Sequence, residues 1–316
     1  MTQIKSLLAT YGKVLGLLLM MVLGILFPQF SRLSFLIQYL LMAMLFFAFL
    51  DIEIRPRSFR RGVLWVVLSN ILVAFTAYWI MRPFSMDLAL TAFITGIAPT
   101  ATAAPVIIGF LQGQVEYVVG AVLVTNVTMS LLLPLVLPFV VGNVVKVSVW
   151  QVLKPVLVTM FVPLILARLS RHLPPGAQTM IRRGKAFSFT FWLMALLISS
   201  AKASDFLRND ISASAASVIP IALISLALCI VNFSLGALLG GERFRQESSQ
   251  SLGQKNNAFV IWVALTFINP LVAMGPTFYI LYHNLYNSWQ IYRFEKRRGQ
   301  PLSGGKETHK EVSTDV

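Results

Sequence analysis

Acidic residues are scarce in this chain: 12 Asp and Glu stand against 26 Lys and Arg in 316 residues. Charge of either sign makes up only 12% of the sequence, about half the share of an ordinary soluble domain. Cysteine occurs once, as Cys229. That excludes an intrachain disulfide and a cysteine-built metal centre. Alternation of apolar and polar residues with period two is almost absent, which argues against the strands of a membrane barrel. No HExxH, GxSxG or paired-Asp pattern occurs, so nothing supports intramembrane hydrolysis. Asp51, Glu53, Asp87, Glu116, Asp205, Asp210, Glu242 and Glu247 all fall at the ends of apolar runs. None is placed for a proton relay at the centre of a membrane. The expectation is a protein that is not an enzyme, with no cofactor and no metal.

Apolar residues fill the space, at 57% of the chain with a mean hydropathy of +0.75. Long apolar runs recur between charged or Pro/Gly-rich joints, the pattern of an all-α polytopic membrane protein. The formal net charge of +14 therefore marks loops on the cytoplasmic side rather than a nucleic-acid partner. Lys5 and Lys13 precede LGLLLMMVLGILF as the basic region of a signal peptide precedes its apolar region. No A-x-A site follows, and FPQF leads into another run, so a retained first helix is expected.

Ten spans are predicted, at 14–30, 34–50, 63–81, 87–111, 117–139, 149–167, 187–200, 213–239, 248–268 and 273–292. Lys and Arg outside them number 19 on one set of alternate joints and five on the other. The bias places both termini in the cytoplasm of a multi-pass plasma (inner) membrane protein. Spans four and nine are broken, which divides the chain into halves 1–143 and 144–298, each with its break in the fourth span. Five spans per half make the second half inverted relative to the first, the inverted-repeat design of many secondary transporters. The tail 299–316 is polar and reads as disordered.

The two breaks carry the candidate site. In LALTAFITGIAPTATAAPVIIGFL, Pro99 and Pro105 each remove a backbone donor and disfavour helix in the residue before them. The freed backbone, with the hydroxyls of Thr100 and Thr102, must face protein or enclosed water rather than lipid. A simple proline kink is the plainer alternative. In SLGQKNNAFVIWVALTFI, the break holds Gly253, Gln254, Lys255, Asn256 and Asn257. A cation at membrane depth costs roughly 2.5–3.5 kcal/mol on translocon scales, so Lys255 is a functional candidate. It could instead snorkel to an interface. The run AFVIWVALTFINP is short for a span, at 13 residues against roughly 20 needed, which favours an interior lysine. Each break leaves polar backbone that the other can satisfy, so the two should cross. His283 and Asn284, in LYHNLYNSW, are more often helix–helix glue than ligands.

These residues resemble the bile acid:sodium symporter family and its wider superfamily of bile acid, arsenite and riboflavin transporters. MLFFAFLDIEIRPRSFRR is similar to the family's second-helix end and basic loop. GIAPTATAAPVIIGFLQGQ is similar to the pattern P-G-G-T-A-S-N followed by a G-D turn. SLGQKNNAF resembles E-x-G-x-Q-N, and NPLVAMGPTFYILYHNLYNSW resembles the closing segment. The resemblance implies a core of helices 3–5 and 8–10, a panel of helices 1, 2, 6 and 7, and a binding site where helices four and nine cross. The sodium-ligand positions are not retained. The Ser-Asn pair aligns with Ala104 and Pro105, the fifth-helix ligands with Val118 and Val122, the acidic ligand with Ser251 and the glutamine with Lys255. Only Gly253 and Asn256 keep their identity. An arsenite permease would need a cysteine where Thr100 stands.

The leading expectation is a transporter of a small organic anion by alternating access, independent of sodium. Thr100, Thr102, Lys255, Asn256 and Asn284 are its candidate substrate-binding residues, and Pro99, Pro105, Gly253 and Asn257 its helix breaks. Lys255 would supply the positive charge in place of a sodium ion, and proton coupling stays open. A sodium-coupled symporter of bile-acid-like anions is the alternative. A membrane receptor that reports a ligand without moving it is the second class, disfavoured by an 18-residue tail too short for a signalling domain. The expected partners are the substrate anion and the lipid bilayer.

Overall fold

The computed structural model describes residues 15–50, 60–142, 148–209, 216 and 218–298. Among these residues the structure is all helix and turn, with no strand. Helices α1 (Leu15–Leu26) and α2 (Leu36–Leu50) are short and apolar. Then follow α3 (Arg61–Met81), α4 (Met86–Ile97), α5 (Ala104–Phe110), α6 (Val115–Val141) and α7 (Val149–Leu169). After α8 (Pro175–Gly184) come α9 (Ser188–Asn209), α10 (Val218–Gly240), α11 (Arg245–Gly253), α12 (Asn257–Phe267) and α13 (Pro270–Arg298). Five segments, 61–81, 115–141, 149–172, 175–209 and 218–240, are long and apolar enough to cross a membrane. Their outer faces are apolar too: Leu72 on α3, Phe139 on α6 and Leu238 on α10 are exposed. Water would penalise such a surface, and a bilayer would not.

Several expectations need correction. The joint 168–186 holds a helix, α8, with no buried residue. Its Pro175 presets the first turn, and Arg182 and Arg183 sit in its last turn, where the helix dipole favours cations. The last helix continues six residues past the expected end at 292 and stops at Arg298, because YRFEKRR contains no breaker. The first span ends at Leu26 rather than at residue 30, since Pro28 opens a 3-10 turn over Pro28–Leu33. Asp51, Glu53 and Asp210, the boundary at 143–144 and the tail 299–316 lie outside the described residues.

The joints sort to two ends of the bundle. At one end the guanidinium of Arg60 lies 5.0 Å from the ring centroid of Phe244, which stacks on Tyr117 at 5.1 Å. Ile291 and Phe294 join that cluster, and the backbone N–H of Gln114 donates to Glu247 Oε1 at 2.7 Å. At the other, Asn269 donates to Asp87 Oδ1 at 2.9 Å, Tyr78 donates to the carbonyl of Val140 at 3.0 Å, and Arg208 donates to the carbonyl of Ile25 at 2.8 Å. Between these ends α2 packs on α7 and α9, while α3, α4, α10, α12 and α13 pack against one another.

Candidate functional site

Both breaks form for local reasons. Pro99 pushes Ala98 out of the helical region to φ −51, ψ 132, which ends α4. The chain stays non-helical over residues 98–103 and re-enters a helix at Ala104. Pro105 was expected inside the break, but it lies in the first turn of α5, where a missing N–H costs nothing and a fixed φ suits the helix. In the second half Gln254 is extended at φ −88, ψ 102. Asn256 then caps α12, its Oδ1 accepting from the N–H of Phe259 at 3.4 Å. Asn257 is thus the first residue of a helix rather than part of the gap.

The two gaps meet as an antiparallel bridge centred on Thr100 and Lys255. Ala101 N–H donates to the Gln254 carbonyl at 2.7 Å, and Asn256 N–H donates to the Pro99 carbonyl at 2.7 Å. The side chains repeat the exchange. Thr100 Oγ1 donates to the Ser251 carbonyl at 2.6 Å, and Lys255 Nζ donates to the Gly96 carbonyl at 3.0 Å. Each bridge residue therefore takes up a carbonyl in the last turn of the other half's broken helix. Those carbonyls have no partner within their own helix.

Three neighbouring helices complete the enclosure. Asn70 on α3 accepts a hydrogen bond from Lys255 Nζ through its Oδ1. Its Nδ2 donates to the carbonyls of Ile97 at 3.2 Å and Ala98 at 3.0 Å. From α6, Thr125 Oγ1 accepts from Thr100 N–H at 3.0 Å, and Asn126 Nδ2 donates to the Thr100 carbonyl at 2.9 Å. From α13, the Tyr279 hydroxyl donates to the Gly253 carbonyl at 2.7 Å. Close approach requires glycine at two places: a Cβ on Gly96 would lie 2.8 Å from Ala74 Cα, and one on Gly253 would lie 2.3 Å from the Phe233 ring.

Lys255 is 2% exposed, so it does not snorkel. Its ammonium is held by two protein oxygens at the C-terminal end of α4, where the helix dipole is negative, and no carboxylate is among its bonded partners. Asn256 donates to Asn126 Oδ1 at 3.3 Å, and Thr102 is half-buried in the turn before α5. Asn284 departs from expectation, since its Nδ2 returns to the Ile280 carbonyl of its own helix at 2.7 Å. One residue of rotation along a helix is 100°, and that step brings His283 to the site instead. Its Nδ1 lies 3.3 Å from Asn257 Nδ2.

At the positions aligned with sodium ligands, Ala104, Val118 and Val122 are fully buried, and Ser251 Oγ is committed to the Glu247 carbonyl at 2.7 Å. Among the described residues no group of three His, Cys, Asp or Glu could hold a metal ion. The sequence reading missed Asn70, Thr125, Asn126 and Tyr279. Their signal was available: an isolated Asn in LSNILV and a Thr-Asn pair in LVTNVT stand within otherwise apolar spans, where polar residues seldom occur without a partner. No model of a known protein family matches the chain, and no curated protein sequence matches it.

Proposed function

We propose that this protein is a secondary transporter of a small organic anion, built as two inverted five-span repeats and related to the bile acid:sodium symporters. The observation that carries the reading is the reciprocal exchange between Thr100 and Lys255. Lys255 and Ser251 each follow their counterparts, Thr100 and Gly96, by 155 residues. A two-fold axis between the bridge residues relates both pairs of hydrogen bonds. Inverted repeats have such an axis in the membrane plane, and transporters of this design bind their cargo where discontinuous helices meet at it. The sorting of joints to two ends agrees with ten spans, and the packing of α2 on α7 and α9 agrees with a panel beside the core. The charge bias puts both termini in the cytoplasm of an inner membrane.

The anionic substrate follows from charge. An ammonium enclosed by neutral oxygens, with no bonded carboxylate, leaves the crossing positive in a medium of low dielectric. The N-terminal end of α12 adds partial positive charge on the same side of the break. Thr102 and Asn256 would then orient the anion, while the core moves against the panel. Because Lys255 occupies a nest of oxygens with a tethered cation, no sodium ion is needed there.

Proteoliposome counterflow tests the reading. A thermal-shift screen of the purified protein against metabolites carrying carboxylate or sulfonate groups supplies the candidates. Exchange of a hit across the bilayer is expected. Binding without exchange would favour a receptor, the second class.

A further inference from the structure

A second line of polar side chains runs through the bundle, outside the Thr100–Lys255 bridge. Gln250 on α11 and Asn257 at the start of α12 form one rail, and His283, Asn287 and Gln290 on α13 form the other. Gln250 Nε2 donates to Asn287 Oδ1 at 2.9 Å and to Gln290 Oε1 at 2.6 Å. Asn257 faces His283 at 3.3 Å. The pairing is antiparallel, so both rails lead from the break toward the end of the bundle marked by Glu247 and Phe294.

Gln250, Asn257, His283 and Asn287 are each 3% exposed or less. Yet Gln250 Oε1, Asn257 Oδ1 and Asn287 Nδ2 have no hydrogen-bond partner. Buried polar atoms of this kind are normally satisfied, and a row of them calls for water. Gln290 is half-buried and ends the row. One turn beyond it Arg293 lines, with Trp289, Tyr292 and Lys296, a surface cavity of about 460 Å³.

We propose that this seam between α11 and α13 is a hydrated proton path, with His283 as the proton acceptor at its inner end. Seven residues of α13 separate His283 from Gln290, roughly 10 Å at the helical rise, a span that a few waters cover. In the neutral state Asn257 Nδ2 donates to the lone pair of His283 Nδ1, and the other ring nitrogen carries the proton. When a seam water delivers a proton to Nδ1, that nitrogen becomes a donor. Rotation of the Asn257 amide then presents its unpartnered Oδ1 to accept from it. One proton enters from the bundle end, and its return to a seam water restores the neutral ring.

Among the ionisable groups near this ring, Tyr286 on α13 hydrogen-bonds Gln290 at the outer end of the seam. Tyr279 lies edge-on at 5.7 Å on the same helix, with Cys229 of α10 in its cluster. Lys255 belongs to the same break but sends its ammonium toward α3 and α4. Glu247 and Arg245 stand at the outer end of α11. Asp87 on α4 and Lys202 and Asp205 on α9 belong to the opposite end. The inference rests on the transporter reading for its purpose and on the seam alone for its geometry.

Accessibility of the seam is the test. In a Cys229→Ala background, Asn287→Cys should be modified by the small neutral reagent hydroxyethyl methanethiosulfonate about tenfold or more faster than Ile280→Cys, a dry position on the same helix, because only a thiolate in contact with water reacts. Equal rates would overturn the proposal. Should Asn287→Cys fail to fold, the wild-type protein answers by nitrogen-15 NMR. The chain has three histidines, and loss of a signal in His283→Gln assigns the ring. A water cross-peak and a pH-dependent shift are expected for it, and a ring without either is the overturning result. A dry seam leaves the transport reading standing, whereas a wet seam without counterflow removes that reading and not this one.

Discussion

Thr100 and Lys255 face each other across an antiparallel bridge, and the side chain of each donates to the carbonyl four residues ahead of the other. The exchange ties the two halves of the chain at the point where each is weakest. Neither break could persist alone in a membrane, because unpartnered backbone there costs several kcal/mol per group.

Removing one arm of the exchange should be measurable. Thr100→Val keeps the shape but deletes the donor to the Ser251 carbonyl, and about 1–3 kcal/mol of stability should be lost. Thr100→Ser should recover most of it. Denaturation in mixed micelles reads the difference, and a valine variant as stable as wild type would remove the exchange from the account of stability.

The crossing itself is open to a disulfide. Residues paired beside an antiparallel bridge have Cα atoms about 5.5 Å apart, within the range of a disulfide. Ala101→Cys with Gln254→Cys, in the Cys229→Ala background, should oxidise to a bond seen as a mass loss and a gel shift. Cysteines at Ala101 and Ala264 should not.

Glycine at 96 should be obligatory. A methyl there meets the backbone of Ala74 at 2.8 Å, and backbone cannot rotate out of the way. Gly96→Ala should destabilise by about 1–3 kcal/mol through overpacking of α3 on α4. Gly176→Ala, which meets nothing within 4 Å, is the control. Equal melting temperatures for the two variants would show that α3 and α4 do not approach as described.

Sodium should neither stabilise the protein nor drive uptake. At fixed pH and ionic strength, melting temperatures in sodium, potassium and choline salts are expected to coincide. A saturable sodium effect that survives in Lys255→Ala would falsify the tethered-cation reading.

Topology is checked with reporter fusions. Fusions after Arg57, Lys185 and Arg298 should report cytoplasm, and one at Gly142 the opposite side. A cytoplasmic signal at Gly142 would defeat the inverted-repeat count.

Much of this was legible in the sequence because proline and glycine act locally. Pro99 dictates the extended Ala98, and no tertiary information is needed to see it. The burial of Lys255 was equally visible, since the apolar run after it is too short to span alone. The direction of its ammonium was not. That depends on Asn70, 185 residues away, and hydropathy does not record where a partner lies. Which of His283 and Asn284 faces Asn257 was hidden for a similar reason, since only the rotation of α13 against α12 decides it. Helix α8 was missed because PGAQTMIRRG is polar and opens on the second of two consecutive prolines, both of which suggest a loop.

Helix α11 bears on how the chain is made. Its nine residues, RQESSQSLG, contain one large apolar side chain, and the seven from Glu247 to Gly253 are buried in the finished protein. In a bilayer such a segment has no affinity for lipid, so insertion machinery that sorts segments by hydrophobicity has no reason to release it sideways. Its burial depends on protein surfaces from both halves, Gln114 and Thr100 in the first and α10 in the second. The expected consequence is that α11 enters only once α3–α6 are in place, and deleting α3–α6 should leave α11 outside the membrane.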